Sequence, residues 1–369
     1  MISPSDLYDR RKTMERIPFR KEELEIKAPP LVKGRLGVPI LNTPITPREN
    51  FLAFLGGEEP LWMPFFTDTL SITPAVVPDN ISRGFVFDAS DFDPNRSAGG
   101  PDMFGVEWEW VPSVGGSMVR PGSPKVPDIT EWESYITFPD IDSWDWAGSA
   151  EINRKLIDQK EFLLGTTILN GLFERLISFC DMDEALIAMI DEDEQEAVHR
   201  LFSRLADLYP RLIRKFKDYF GIEIVTFHDD WGSQRAPLLS LDTVEEMIVP
   251  YLKRIVDSTH EMGIYFELHS CGKNEMLVPA MIDAGVDLWN GQPMNDKEML
   301  AKKYGDRIII GADPPAMAPD TPKEEIERNC REFIETFNPY RSYGGRVRGL
   351  PGARELLYEY SRAAKCGRA

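Results

Sequence analysis

The chain has 369 residues, 42% apolar and 28% charged, with a formal net charge of −19. Such an acidic balance argues against nucleic acid or anionic membrane as a partner, because a phosphate-binding surface needs the opposite sign. No run of 18 apolar residues is present, so no transmembrane helix is expected. Four scattered cysteines (Cys180, Cys271, Cys330, Cys366) and an N-terminal segment without an apolar stretch place the expectation in the cytoplasm.

Residues 1–45 are charged, contain proline and show no period; they read as an N-terminal arm ahead of one domain spanning 46–369. PLWMPFFTD at 60–68 reads as a first buried strand. Residues 75–145 are rich in Pro, Gly and Asp. They hold a hairpin, FGVEWEWV, and read as an irregular excursion from the domain rather than a second one. From residue 160 strands and helices alternate. EFLLGTTI is a strand and FERLISFC a helix. Val198, Leu201, Phe202, Leu205, Leu208, Leu212 and Phe216 have helical spacing. The acidic stretch 181–196 reads as a solvated helix face. IEIVTFHDD is a strand, 241–262 a helix ended by Gly263, and IYFELHS, VDLWNG and RIIIGAD are further strands with helices between them. Thr321-Pro322-Lys323-Glu324 reads as a capping box for a helix running to Phe337. GGRVRGL is a last strand and ARELLYEYSRAAK a last helix.

The strands fall near 61–67, 84–88, 162–168, 222–229, 264–270, 286–290, 307–312 and 345–349. Eight strands alternating with helices predict an α/β fold of (β/α)8 (TIM) barrel type. An open doubly wound sheet is the alternative, disfavoured because no glycine-rich phosphate loop follows a strand.

In a barrel the chemistry lies at the C-terminal ends of the strands. Those ends read Thr67-Asp68, Thr166-Thr167, His228-Asp229-Asp230-Trp231, His269-Ser270-Cys271-Gly272, Asn290-Gly291-Gln292 and Asp313. Turn chemistry alone favours Gly, Asn and Asp, not His, Cys, Trp and Gln. His269 and Cys271 are two apart on a strand, so they share a face roughly 7 Å apart along the backbone and suit a borderline metal such as zinc. Glu267 lies on the same face and reads as a partner that orients the histidine. Of the adjacent Asp229 and Asp230, one should enter the site as acid or ligand and the other should cap a loop or helix. A third metal ligand is sought among His228, Asp229 and Asp230, with Glu223 and Glu267 as alternatives.

The stretch from FHDDWG through PYLKRIVD, HSCG and GVD to QP resembles the uroporphyrinogen decarboxylase superfamily; YGDRIIIGAD and TPRENFLAFLGGEEPLWMPFF extend the likeness over residues 45–350. The resemblance implies a (β/α)8 barrel. The decarboxylases carry an arginine-rich segment after the first strand that holds substrate carboxylates. Here PLWMPFFTDTLSITP has no arginine, which points away from decarboxylation.

The resemblance is closer to the cobalamin-dependent methyltransferase branch, where both residues of H-x-C ligate zinc; this carries over to His269 and Cys271. Those enzymes take a third ligand from a cysteine after the last strand, whereas GGRVRGLPGARE has none. The implied activity moves a methyl group between a small methylated substrate, such as an aryl methyl ether, and the cobalt of a corrinoid. No D-x-H-x-x-G segment is present to grip that cofactor, so a separate corrinoid protein is the expected partner; a homodimer is also open. His228, Asp229 and Asp230 are the candidate catalytic groups. Trp231, Gln234, Asn290, Gln292, Asp313, Phe65 and Phe66 are candidate substrate contacts, and the aromatics Trp62, Trp108 and Trp110 fit a flat substrate. The alternative is a member that binds a corrinoid or tetrapyrrole without catalysing transfer.

Overall fold

The computed structural model describes residues 15–31, 38–113, 115–314, 316–345 and 352–368. Its main feature is a seven-stranded sheet of β1 (Thr69–Ser71), β2 (Leu163–Ile168), β3 (Ile224–His228), β4 (Tyr265–Ser270), β5 (Leu288–Gly291), β6 (Ile309–Ala312) and β7 (Ser342–Gly344). Sheet order follows chain order from β1 to β7, and helices separate the strands from β2 onward. The pairs β2–β3, β3–β4, β5–β6 and β6–β7 are parallel. An additional parallel bridge joins Phe65 to Gly344, whose N–H donates to Pro64 O at 2.8 Å. The segment before β1 thus pairs with β7. Unbroken sequential order with parallel crossovers is the topology of a TIM-barrel-type α/β fold.

The strands themselves show why. β2, β3 and β4 are buried along most of their length, as parallel strands under helices are, with polar residues gathering toward their C-terminal ends. In the 26-residue helix Gln195–Phe220 all seven periodic apolar positions are buried, and Gly221 (φ 71°) ends it.

Five expectations need correcting. The first strand expected at 60–68 is only the Phe65 bridge to Gly344 followed by a 3-10 turn, Phe66–Asp68. The second strand is not at 84–88: Phe87 makes one antiparallel bridge to Thr73, and Thr69–Ser71 takes the place in the sheet. The predicted 241–262 helix is two, Leu241–Met247 and Val249–Glu261. The helix Lys323–Phe337 has Pro322 as its N-cap and no side-chain cap from Thr321. The last strand is Ser342–Gly344; most of the segment expected at 345–349 lies outside the described residues. Among the described residues no helix is long and apolar enough to cross a membrane, and all four cysteines are free.

By internal contacts the chain divides into two compact units. The first comprises residues 1–70, 159–164 and 287–369. Its core joins Leu61, Trp62, Met63 and Phe65 to the helices Lys323–Phe337 and Ala353–Cys366 through Phe333, Ile334, Leu357 and Tyr358. From the N-terminal segment, Glu23 accepts from Tyr358 (2.6 Å) and from Arg362 Nε (2.8 Å).

The second unit comprises residues 71–158 and 165–286. Its excursion contains a three-stranded antiparallel sheet, Gly100–Pro101, Glu107–Val111 and Gly116–Val119. A buried cation helps fasten the excursion. Arg175, fully buried on the helix Leu172–Phe179, donates to Asp102 Oδ2 at 2.6 Å and to Asp79 Oδ1, under the rings of Phe104 and Phe179. Two carboxylates facing one guanidinium leave a net negative charge if the cation is removed, and uncompensated buried charge is costly. Arg175→Met should therefore lower the unfolding free energy by about 3–5 kcal/mol, read by urea denaturation; a loss below about 1 kcal/mol would remove this clamp from the account.

Candidate metal centre

The centre is set by strand register. β3 and β4 pair in parallel with His228 opposite His269, and residues opposed in a parallel pair point the same way. The two imidazoles stack with centroids 4.5 Å apart and planes 28° apart. Beyond them the chains turn, adding Asp230 from one loop and Cys271 from the other. One ligand atom from each of His228, Asp230, His269 and Cys271 lies within 4.8 Å of the other three. Cys271 Sγ is 3.5 Å from His269 Nε2, close to the edge of about 3.5 Å that a zinc tetrahedron with bonds of about 2.3 and 2.0 Å requires. Asp230 Oδ1 accepts the Cys271 N–H at 2.6 Å, tying the carboxylate to the cysteine backbone.

The loops are held by buried partners. Ser270 Oγ accepts from Trp231 N (3.1 Å) and from Asn274 Nδ2 (2.8 Å), and the same amide nitrogen reaches Cys271 O at 2.6 Å. Gly272 adopts φ +93°, and a Cβ there would sit 2.2 Å from the Gly232 carbonyl carbon. Glycine is required on both counts.

The adjacent aspartates divide as extended backbone dictates. Asp230 faces the imidazoles with its side chain 30% exposed. Asp229 is buried and accepts from Glu174 N (2.8 Å), Phe173 N (3.3 Å) and Trp231 Nε1 (2.9 Å). It caps the helix Leu172–Phe179 from the neighbouring strand, and Gly171 permits the approach: a Cβ there would lie 2.5 Å from Asp229 Cβ. Burial pushes the Asp229 carboxyl up to about 7, against the pull of those donors.

Sequence reading missed Glu174. Its Oε2 is 2.5 Å from His228 Nδ1. Burial opposes a charged His228 ring, but the Glu174 charge, aided by hydrogen bonds that the ring donates to Cys271 and Glu174, holds the ring well above its ordinary value. Burial also raises the Cys271 thiol. With Nδ1 committed to a carboxylate, His228 presents Nε2 to the cluster, as a metal-bound histidine does. Two imidazoles, a thiol and a carboxylate are donors that suit zinc, and the residues present therefore fit the ion.

The remaining candidates lie elsewhere. Glu267 is buried and accepts from Thr226 Oγ1 at 2.6 Å, and Glu223 precedes β3, at the end away from His228. Trp231 is fully buried and braces Asp229 rather than lining a surface; Gln234 is exposed. Trp108 donates to Asp102 at 3.0 Å and Trp110 to Asn95 at 3.2 Å. In the other unit, Trp62 and Phe65 are core residues and Phe66 is half-buried. There too, Asn290 and Gln292 stand at the end of β5 and Asp313 follows β6. Beside these strand ends the sequence reading also missed Lys297. Its Nζ donates to Gly291 O (2.6 Å) and Gly311 O (2.9 Å) and lies 4.7 Å from the Trp289 ring centre.

Residues 176–344 match the uroporphyrinogen decarboxylase (URO-D) family model. The match supports the superfamily that the DDWG and HSCG motifs resemble. No curated protein sequence matches. Similar solved structures include a sugar phosphate isomerase/epimerase from Parabacteroides distasonis (11% identity, 61% of this chain and 80% of that one, TM-score 0.32). A D-psicose 3-epimerase with D-tagatose from Clostridium cellulolyticum (9%, 61% and 84%, TM-score 0.33) is another. So is the IolI protein with a zinc atom (12%, 61% and 81%, TM-score 0.31).

Two outcomes follow. Gly272→Ala should cost about 1–3 kcal/mol and, by forcing Cys271 away from the 231–232 loop, lower the zinc retained on gel filtration; wild-type retention would show that the close approach is dispensable. Burial holds the Lys297 ammonium down at about 8 against 10.5 unfolded, with Asp313 pulling the other way. Between these values the unfolded chain binds the proton that the folded chain has lost, so stability rises with pH. The unfolding free energy of wild type relative to Lys297→Met should climb from pH 8 to 10.5, by at most about 1.4 kcal/mol per unit; a flat difference would contradict it.

Proposed function

We propose that this chain is a corrinoid-dependent methyltransferase. It would move a methyl group between a small methylated substrate, an aryl methyl ether being the leading class, and the cobalt of a corrinoid carried by a separate protein. The observation that carries the reading is the convergence of His228, Asp230, His269 and Cys271, built on the H-S-C-G motif and lying within the matched family region.

His269, Cys271 and His228 would hold zinc, with Asp230 as the fourth donor. Bound there, the ion would supply Lewis acidity to the oxygen or sulfur that loses or gains the methyl group, while the partner's corrinoid supplies the methyl-exchanging cobalt. The protein's own groups set the rest. Glu174 fixes the His228 ring through Nδ1. Asp230 is held by one oxygen on the Cys271 N–H and has the more exposed side chain of the His228–Asp230 pair. It is the group placed to yield its position to substrate, or to carry the leaving group's proton on its other oxygen. Asp229, engaged by three donors, would serve the fold in this reading.

Zinc analysis and a methyl-transfer assay test this together. Purified wild type should hold about one zinc per chain. It should change the absorbance of reduced cobalamin when given methoxylated aromatics, and show no turnover without cobalamin or a corrinoid protein. His269→Ala and Cys271→Ala should each lose the zinc and at least about a hundredfold in rate while melting near the wild-type temperature. Turnover in a cobalamin-free assay, or undiminished transfer by either variant, would refute the proposal.

A further inference from the structure

We propose that Arg83 is a positioning residue for the metal centre, acting through Glu174 on His228. The proposal rests on the zinc reading above and extends it to the excursion. The two oxygens of the Glu174 carboxylate face different partners: Oε2 takes His228 Nδ1 at 2.5 Å, and Oε1 lies 3.8 Å from Arg83 NH1. Both side chains are largely removed from solvent, 14% exposed for Arg83 and 13% for Glu174, so their attraction is weakly screened.

Arg83 is itself held. It follows the short helix Pro78–Ser82, and its NH1 donates to Leu169 O at 3.3 Å and to Asn170 Oδ1. The guanidinium lies over Trp108, 4.6 Å from the ring centre. Trp108 donates to Asp102 at 3.0 Å, the carboxylate that also receives Arg175, and Asn170 Nδ2 reaches Asp79 Oδ1 at 3.1 Å. Asp79, Arg83, Asp102 and Trp108 all come from the excursion. Arg83 Nε is buried without a hydrogen-bond partner among the described residues.

The chemical consequence follows from charge. A guanidinium 3.8 Å from one carboxylate oxygen attracts that oxygen and favours the orientation in which the other faces Nδ1. The histidine then donates from Nδ1, and a cation that displaces the Nε2 proton takes that nitrogen's lone pair. A Lys at position 83 keeps the charge but has neither the planar fork nor the stacking surface.

Zinc affinity, measured by competition with a chromogenic chelator, separates positioning from docking. The proteins are wild type, Arg83→Met, Arg83→Lys, Glu174→Gln and the Arg83→Met/Glu174→Gln double variant. Arg83→Met should bind zinc about tenfold more weakly and Glu174→Gln about 10- to 100-fold more weakly. The double variant should be no weaker than Glu174→Gln alone, because both changes act on one contact. Arg83→Lys should recover part of the loss. If Arg83 only fastens the excursion, Arg83→Met lowers the melting temperature and leaves zinc affinity unchanged, which overturns the proposal; so do losses that add in the double variant. Should Arg83→Met not fold, Glu174→Gln and Arg83→Lys decide, and wild-type affinity in both is equally fatal. A wild type that binds no zinc defeats the metal reading itself, an outcome distinct from tight binding in wild type and Arg83→Met alike.

Discussion

The centre depends on one buried carboxylate. Asp229 accepts two N–H groups from the first turn of the helix Leu172–Phe179 and the indole N–H of Trp231. It sits where the helix concentrates unsatisfied donors and positive potential. That interaction ties the end of β3 to the helix that follows β2. Glu174 is thereby brought beside His228, and Asp230, the next residue in the loop, is turned toward the imidazoles. A Cβ at Gly171 would meet the Asp229 side chain, and one at Gly272 the Gly232 backbone. Both lie where these connections cross.

From there the centre is assembled by register. A slip of one residue between β3 and β4 would send His228 and His269 to opposite faces, so the cluster is as well determined as the sheet. In the proposed zinc reading, GGRVRGLPGARE supplies no cysteine, and His228 and Asp230 would complete the donor set with His269 and Cys271.

Much of this was legible in the sequence, because strand rhythm and strand-end chemistry are local signals. Val198 to Phe216 announced their helix by period, and His269 and Cys271 their shared face by spacing. The adjacent aspartates announced a division of labour, though not which would do what. What stayed hidden was long-range or weakly marked. Thr69–Ser71 is three residues long and precedes a proline-rich stretch, whereas the more strand-like RGFVFD makes only a bridge. Trp231 looked like a substrate contact because it ends a strand, but it serves Asp229. Glu174 lay in an ordinary first helical turn, where an acidic residue favours the dipole and signals nothing more. Arg83 lies 91 positions from Glu174 in the chain, and no local pattern could join them.

The central claim is that His228, Asp230, His269 and Cys271 bind one zinc ion. X-ray absorption at the zinc edge on the purified wild type tests it most directly. The account predicts one sulfur neighbour at about 2.3 Å with nitrogen and oxygen neighbours at about 2.0–2.1 Å, the sulfur vanishing in Cys271→Ala. A shell with two or more sulfurs, a shell with none, or a protein that carries no stoichiometric zinc would contradict it.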